Sequence, residues 1–231
     1  VDPERVHVVP HGSYEGFYPN FADRARSRRH LSLSDDHFVF LFFGNIKGYK
    51  GVDVLLEVFE PIRKEFANAR LVIAGRIYDP DTADMLKEHA NTRPEITFHP
   101  GFISDDEAQF YFNAADFTVL PYRRILTSGA ALLSLSYRTP IIAPRTGVLP
   151  EIIEEGKQGH LFDDYTEMAN VMRSVLRQGR STEAVTRYRF CEINKTLRWS
   201  EIVARPPFNA LFSRGASLTP EPVPKAYDYA V

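Results

Sequence analysis

Two lysines three residues apart occupy a glycine-rich stretch, Gly44-Asn45-Ile46-Lys47-Gly48-Tyr49-Lys50-Gly51, at the end of an apolar run that begins at Phe38. Glycine allows a backbone to come close to a ligand, a helix start beyond the turn offers N–H groups without partners, and two ammonium groups at this spacing can converge on one polyanion. A diphosphate suits such a turn. The stretch is not a Walker loop, since no Lys-Ser or Lys-Thr follows the required glycine spacing, and it does not match the G-x-G-x-x-G dinucleotide fingerprint. Taken alone it also fits an ordinary glycine turn with two solvated lysines.

Two later stretches offer the same chemistry. Arg123-Arg124-Ile125-Leu126-Thr127-Ser128-Gly129 joins another apolar run to a helical segment whose start holds two hydroxyls and a glycine. Free N–H groups at a helix N-terminus bind phosphate oxygens without help from a charged side chain, although Thr127 or Ser128 could do no more than cap its own helix. Arg145-Thr146-Gly147-Val148-Leu149-Pro150-Glu151 repeats the arrangement, and Glu151 in the first helical turn either complements the helix dipole or accepts sugar hydroxyls. Each loop has a mundane reading. Together, at the ends of neighbouring strands, they favour a phosphate-bearing ligand.

The elements that must position these loops follow from periodicity. From residue 38 onward, short apolar runs rich in Val, Ile and Phe alternate with segments of helical period, which predicts an α/β domain with a Rossmann-like parallel sheet and helices on both faces. Strands are expected at 38–44, 71–75, 96–100, 117–121, 141–144 and 160–162, each too continuously apolar to leave a face in water. Between them, Val52, Leu55, Leu56, Phe59 and Ile62 form one helical stripe, and Ser104 with Glu107 forms a capping box for a helix carrying Phe110, Tyr111 and Ala114. Further helices are expected at 128–137, 166–176 and 199–203. An open sheet of this kind binds ligands beyond the carboxyl ends of its strands, where the three loops lie.

Composition bounds the partners. The 231 residues, 44% hydrophobic and 25% charged, make a globular protein with room for one sizeable domain, and a formal net charge of −2 gives no basic field to collect nucleic acid. A single cysteine, Cys191, permits neither an intrachain disulfide nor a cysteine-based zinc cluster and suits a reducing cytosol. No run approaches the ~20 apolar residues that span a bilayer, and the first residues lack a signal-peptide pattern. The expected protein is cytoplasmic, with a peripheral position at the inner face of a membrane also open. Asp35-Asp36, Asp105-Asp106 and Asp163-Asp164 are read as residues at helix starts rather than metal ligands. Arg24, Arg26, Arg28 and Arg29 are read as the solvated face of a linker helix. Pro206, Pro207, Pro220, Pro222 and Pro224 mark 205–231 as a flexible tail.

Taken in order along the chain, these stretches resemble the GT-B-fold glycosyltransferases of the group 1, family-4-like type, which use nucleotide-sugar donors. The resemblance runs over about residues 6–203. Val9-Pro10-His11-Gly12 resembles the hinge that enters the family's C-terminal, donor-binding domain. Lys50-Gly51 resembles its lysine-glycine pair, and Phe98-His99-Pro100-Gly101-Phe102-Ile103 the loop that receives the nucleotide base. Arg138-Thr139-Pro140-Ile141-Ile142-Ala143, continuing to Gly147-Val148-Leu149-Pro150-Glu151, resembles the family's "G-x-P-V-I-A … G-G-x-x-E" run. Glu155-Gly156-Lys157-Gln158-Gly159-His160-Leu161-Phe162 resembles the stretch after it. Trp199-Ser200-Glu201-Ile202 resembles the start of the helix that crosses back to the other domain, and that helix is expected to have nothing to pack on here.

The resemblance implies the C-terminal half of a GT-B fold, with a hinge or linker over 1–37 and a donor domain over 38–204. It implies transfer of a hexose from a UDP- or GDP-sugar to a carbohydrate or lipid-linked acceptor, with no further cofactor and no metal. An N-terminal acceptor domain outside this chain would carry most of the acceptor contacts and any general base. Donor contacts are implied at Gly44, Asn45, Lys47, Lys50, Phe102, Ile103, Thr127, Ser128, Gly129, Gly147 and Glu151. Two departures stand out. Asn45 occupies a position where many members have arginine, so Lys47 becomes the candidate for a second positive charge. The family's pair of glutamates, for the transferred sugar and the ribose, falls on Ile125 and Leu133. Two readings stay open, a subgroup that handles its donor differently and a non-catalytic sugar-nucleotide-binding or assembly module. A flavodoxin-like or other phosphate-binding α/β protein would share the sheet but not the hinge signature or the order of the loops.

Overall fold

The computed structural model describes residues 9–180 and 198–204. Cys191, the tail expected over 205–231 and the first residues of the hinge stretch lie outside the described residues. Six strands, β1 Phe38–Phe43, β2 Ala69–Gly75, β3 Ile96–Pro100, β4 Phe117–Val119, β5 Ile141–Pro144 and β6 Gly159–Phe162, form one sheet in the order β3-β2-β1-β4-β5-β6. Every neighbouring pair is parallel, β1 and β2 in a register that sets Phe38 beside Ala69 and Phe43 beside Ala74. The helices are α1 Arg24–His30, α2 Val52–Glu65, α3 Pro80–Thr92, α4 Asp105–Ala114, α5 Gly129–Ser136, α6 Leu149–Ile152, α7 Tyr165–Gln178 and α8 Trp199–Val203. The strand order reverses direction between β1 and β4, which opens a crevice beyond their carboxyl ends.

The uninterrupted apolar run of β1 has a simple cause. Successive side chains of a strand point to opposite faces, and here both faces are covered. Phe38, Phe40 and Phe42 enter one layer with Leu55, Phe59 and Ile62 of α2 and Met168 and Met172 of α7. Val39, Leu41 and Phe43 enter the other with Tyr111 and Phe112 of α4. The expectation of a fully covered sheet fails at β3. That strand is an edge, and its Thr97, Phe98 and His99 remain partly accessible.

Helix starts carry the expected chemistry where the sequence offers it. Ser104 accepts the Glu107 N–H at 3.3 Å, and Asp164 caps α7 by accepting the Glu167 N–H. Asp79 caps α3, with Pro80 at its first position, a start signal that the periodicity of the segment does not reveal. Asp35-Asp36 is a correction: Ser32, at a positive φ of 55°, turns the chain away from α1, and the pair leads into β1 rather than a helix. Asp36 instead accepts the Ser34 hydroxyl.

The arginines of α1 are a second correction. Arg28 is only 1% exposed. Arg24, Arg28 and, just beyond the end of α7, Arg180 converge on the Asp116 carboxylate at 2.6, 3.1 and 2.8 Å. The same carboxylate accepts the Val39 N–H at 2.7 Å. The junction between α4 and β4 supplies acceptors that these guanidinium groups satisfy, so α1 is pinned to the domain; only Arg26 and Arg29 keep the exposed character expected. The last helix is a third correction. Ile202 is buried, and the Trp199 indole lies so close to Gly12 that a Cβ there would fall 2.3 Å from it, so α8 packs on the hinge stretch.

Candidate functional site

The chain leaves β1 at Gly44 with a positive φ of 109°, and β2 closes against it. A Cβ on Gly75 would lie 1.9 Å from the Gly44 carbonyl oxygen. Beyond Lys47, a single 3-10 turn, Gly48–Lys50, leads to Gly51 at φ 68°, the cap of α2. A Cβ on Gly51 would come within 2.1 Å of the Pro121 carbonyl oxygen, so the lysine turn is wedged against the end of β4 and only glycine fits. Arg123 fastens it there. Its backbone N–H donates to the Tyr49 carbonyl at 2.8 Å, and its guanidinium donates to the Gly48 carbonyl at 2.6 Å and to both oxygens of Asp53.

Lys50 is the chemically unusual member of this turn. Its ammonium lies 5.6 Å above the Tyr122 ring and, among the described residues, forms no ion pair. Burial, reinforced by the charge of Lys47, holds its pKa down to about 8. A cation in a partly dehydrated place without a carboxylate has the chemistry to receive an anion from outside. On the other edge of the same ring, the Tyr122 hydroxyl lies 3.4 Å from the Ser128 Oγ, so one buried aromatic joins the lysine to the start of α5.

Ser128 caps that helix, accepting the Ala131 N–H at 3.1 Å. The N–H groups of Gly129 and Ala130 have no acceptor among the described residues, and the first turn holds no acidic side chain. The loop of Gly147 packs against the loop before α5. At φ 58°, a Cβ on Gly147 would fall 2.4 Å from the Ile125 carbonyl oxygen, and the Val148 N–H donates to the Leu126 carbonyl at 3.1 Å.

Beyond the ends of β1, β2 and β3 a cleft of about 200 Å3 is lined by Gly44, Asn45, Arg76, Phe102, Ile103 and Asp105 among others. Phe102 is 79% exposed, an aromatic face available to a planar ring, whereas Ile103 leans on the core. Leu133 forms part of the cleft wall and is buried. A larger cavity, about 700 Å3, opens at the opposite end of the sheet beside Phe38, Phe117 and Pro140 and contains none of the expected site residues. Its lining includes Arg24 and Arg180, both paired with Asp116, whereas the Lys50 ammonium and the first N–H groups of α5 lie at the other pole.

The structure therefore brings together Gly44, Asn45, Phe102 and Ile103 around one cleft, and Lys50 and Ser128 around Tyr122, with Gly129 next along the chain. Lys47 turns toward Tyr78, with its Nζ 5.1 Å from the ring. Thr127 and Glu151 are exposed, and neither lines the cleft. Tyr122, Arg123, Arg76 and Tyr78 complete the arrangement; none is among the donor contacts that the resemblance implies, although Arg123 opens the second of the loops read from the sequence. The signal for the first two was their place directly after an apolar run. Among the described residues no three His, Cys, Asp or Glu side chains converge on a common point.

Because Arg123 and Asp53 are both substantially exposed, Arg123→Ala should change stability little, by about 0–1 kcal/mol. It should nevertheless loosen the turn that aims Lys50 and weaken diphosphate binding about 3- to 10-fold. Calorimetry beside a thermal melt separates the two effects. Unchanged affinity would leave Arg123 as a surface ion pair and nothing more.

The profile of the family described as "Glycosyl transferases group 1" matches residues 37–178. A D-inositol 3-phosphate glycosyltransferase of Acidothermus cellulolyticus is 30% identical over 198 residues, 80% of this chain and 43% of the relative. The corresponding protein of Corynebacterium glutamicum is 30% identical over 176 residues, 73% of this chain and 42% of its own length. The chain thus spans less than half the length of these curated relatives. Among solved structures, the C-terminal domain of the group 1 glycosyltransferase LpcC from Francisella tularensis superposes with a TM-score of 0.62 at 20% identity, covering 78% of this chain and 93% of that one. Anabaena HepE, solved in complex with UDP-glucose, superposes with a TM-score of 0.66 at 16% identity over 81% of this chain and 51% of that one. Sheet order and sequence match agree: the chain belongs to the group 1 glycosyltransferases and has the fold of their C-terminal domain.

Proposed function

We propose that this chain is the donor-binding half of an enzyme that moves a hexose from a UDP- or GDP-sugar to a carbohydrate or lipid-linked acceptor. Lys50 carries the reading: a half-buried ammonium that has no carboxylate partner among the described residues, one ring away from a helix start whose first N–H groups have no acceptor among them either. When the bond between the anomeric carbon and the diphosphate oxygen breaks, negative charge builds on the departing diphosphate. Positive groups already fixed in place stabilise that charge without reorganising. Lys50, Lys47 and the N–H groups at Ser128 and Gly129 serve this purpose, Phe102 and Ile103 border the base, and the exposed Glu151 is the acceptor offered to sugar hydroxyls. The complex of HepE with UDP-glucose supports a nucleotide sugar as the ligand class.

A second reading, a non-catalytic sugar-nucleotide-binding or assembly module, draws on Ile125 and Leu133. Neither can accept a sugar or ribose hydroxyl, and Leu133 is part of the second core layer. The readings part on turnover by the full-length gene product: donor affinity with transfer supports the enzyme, and donor affinity without transfer supports the module. The 231-residue chain by itself is expected to bind UDP or GDP yet transfer sugar at least about 1,000-fold more slowly than the two-domain protein, because the acceptor must be held against the donor for reaction. Efficient transfer by the isolated chain to a defined acceptor would show that no second domain is needed.

A further inference from the structure

Past the ends of β1 and β2 the two chains stay paired for one more step, Ile46 bridging Ile77 and the Ile46 N–H donating to the Arg76 carbonyl at 2.7 Å. Residues flanking such a bridge on one side share a face, so Asn45, Lys47, Arg76 and Tyr78 are neighbours there. The Tyr78 ring has the Lys47 ammonium at 5.1 Å and the Arg76 guanidinium at 5.3 Å from its centroid. Two cations thus share one half-exposed ring. Neither forms an ion pair among the described residues, whereas Arg123 is neutralised by Asp53 and Arg145 by Asp163 at the same end of the sheet. Arg76 and Asn45 also line the same cleft, where Asp105 is present without pairing to Arg76.

We infer that Arg76 is a phosphate-binding residue of the donor site, delivered from β2, and that Tyr78 is the positioning residue that holds Arg76 and Lys47 toward one anion. The inference rests on the donor-site reading above. Two like charges beside one ring repel each other, an anion bound between them relieves that repulsion, and a guanidinium fork can meet two phosphate oxygens at once while the ammonium acts as a point charge. It also gives Asn45, a neutral amide beside the cleft, a cationic neighbour from the next strand.

The full 231-residue chain and its Arg76→Gln, Tyr78→Leu and Tyr78→Phe variants are compared by calorimetry with UDP and by ligand-observed NMR with uridine. Both positions of change carry exposed side chains, and thermal melts confirm folding. Arg76→Gln should weaken UDP about tenfold or more, leave uridine within about twofold, and flatten the dependence of UDP affinity on salt. Tyr78→Leu should weaken UDP about three- to fivefold, and Tyr78→Phe, which keeps the ring, should restore wild-type affinity. An unchanged UDP affinity in Arg76→Gln, or an equal loss for UDP and uridine, would overturn the assignment. Failure of the wild-type chain to bind UDP, GDP or inorganic pyrophosphate would instead bring down the donor-site reading itself, and this inference with it.

Discussion

Replacing Lys50 with methionine is expected to stabilise the free chain while removing most of its affinity for a nucleoside diphosphate. The Lys50 pKa falls from 10.5 to about 8 in the folded chain, through burial and the charge of Lys47. A lysine whose folded pKa is depressed is penalised in its charged form. The penalty is fully present below about pH 8, shrinks as the folded chain releases the proton between about 8 and 10.5, and is gone above that. At full conversion the shift corresponds to about 3 kcal/mol; solvent screening of a half-buried group reduces this to roughly 1–2 kcal/mol. Methionine keeps the stem that packs near Tyr122 and carries no charge, so its melting temperature should exceed that of the wild type at pH 7, with the difference closing toward pH 10.

Binding must run the opposite way. An arriving diphosphate stabilises the ammonium and raises its pKa, so wild-type affinity should be steady up to about pH 7 and decline as the pH climbs past 8. Lys50→Met should lose about 1–3 kcal/mol of binding, roughly 10- to 100-fold, and this pH dependence with it. A variant that is less stable than the wild type at pH 7, or that binds UDP as well, would remove Lys50 from the site. Such a trade between stability and binding is what a site holding an unpaired charge in readiness should show.

The parts of this molecule legible in the sequence are those whose cause is local or periodic. The stripe Val52, Leu55, Leu56, Phe59, Ile62 is buried in full, because a helix puts those positions on one face whatever it packs against. Six strands fall where apolar runs predict them, although β4 ends at Val119 rather than at residue 121, since Tyr122 and Arg123 turn out to serve the lysine turn and the helix start. Gly51 and Gly147 are visible as glycines in suggestive loops, but the carbonyls of Pro121 and Ile125 that leave them no room lie 70 and 22 residues away. Arg76 escapes notice for the same reason. Nothing around it in sequence marks a site, and its place follows only from the bridge between Ile46 and Ile77. Arg28 departs from the expected solvated face: a charged residue on a short polar helix is ordinarily solvated, and the partner that keeps this one inside, Asp116, lies 88 residues away.

That partner makes the largest stability effect expected here. Asp116→Ala should cost about 3–5 kcal/mol, the range for removing one side of a buried ion pair. Burial, with the nearby charge of Arg24, brings the Arg28 guanidinium down to about 10, so it stays charged at neutral pH. Its donors are spread over the carbonyls of Ala114, Ser34 and Asp35 and the Asp116 carboxylate, and only the last returns a negative charge. Without it, Arg24, Arg28 and Arg180 face one another across a cavity, and the Val39 N–H at the start of β1 loses its acceptor. Asp116→Asn retains an acceptor of the same shape and should lose less. Arg28→Met in the Asp116→Ala background should recover part of the loss, since it withdraws the stranded cation, and a double-mutant cycle in urea measures the coupling. Because this cluster sits at the amino-terminal end of the strands, the folded fraction of Asp116→Ala should bind UDP with wild-type affinity. A loss below about 1 kcal/mol would mean that water or neighbouring carbonyls satisfy the arginines and that Asp116 does not pin α1 to the domain.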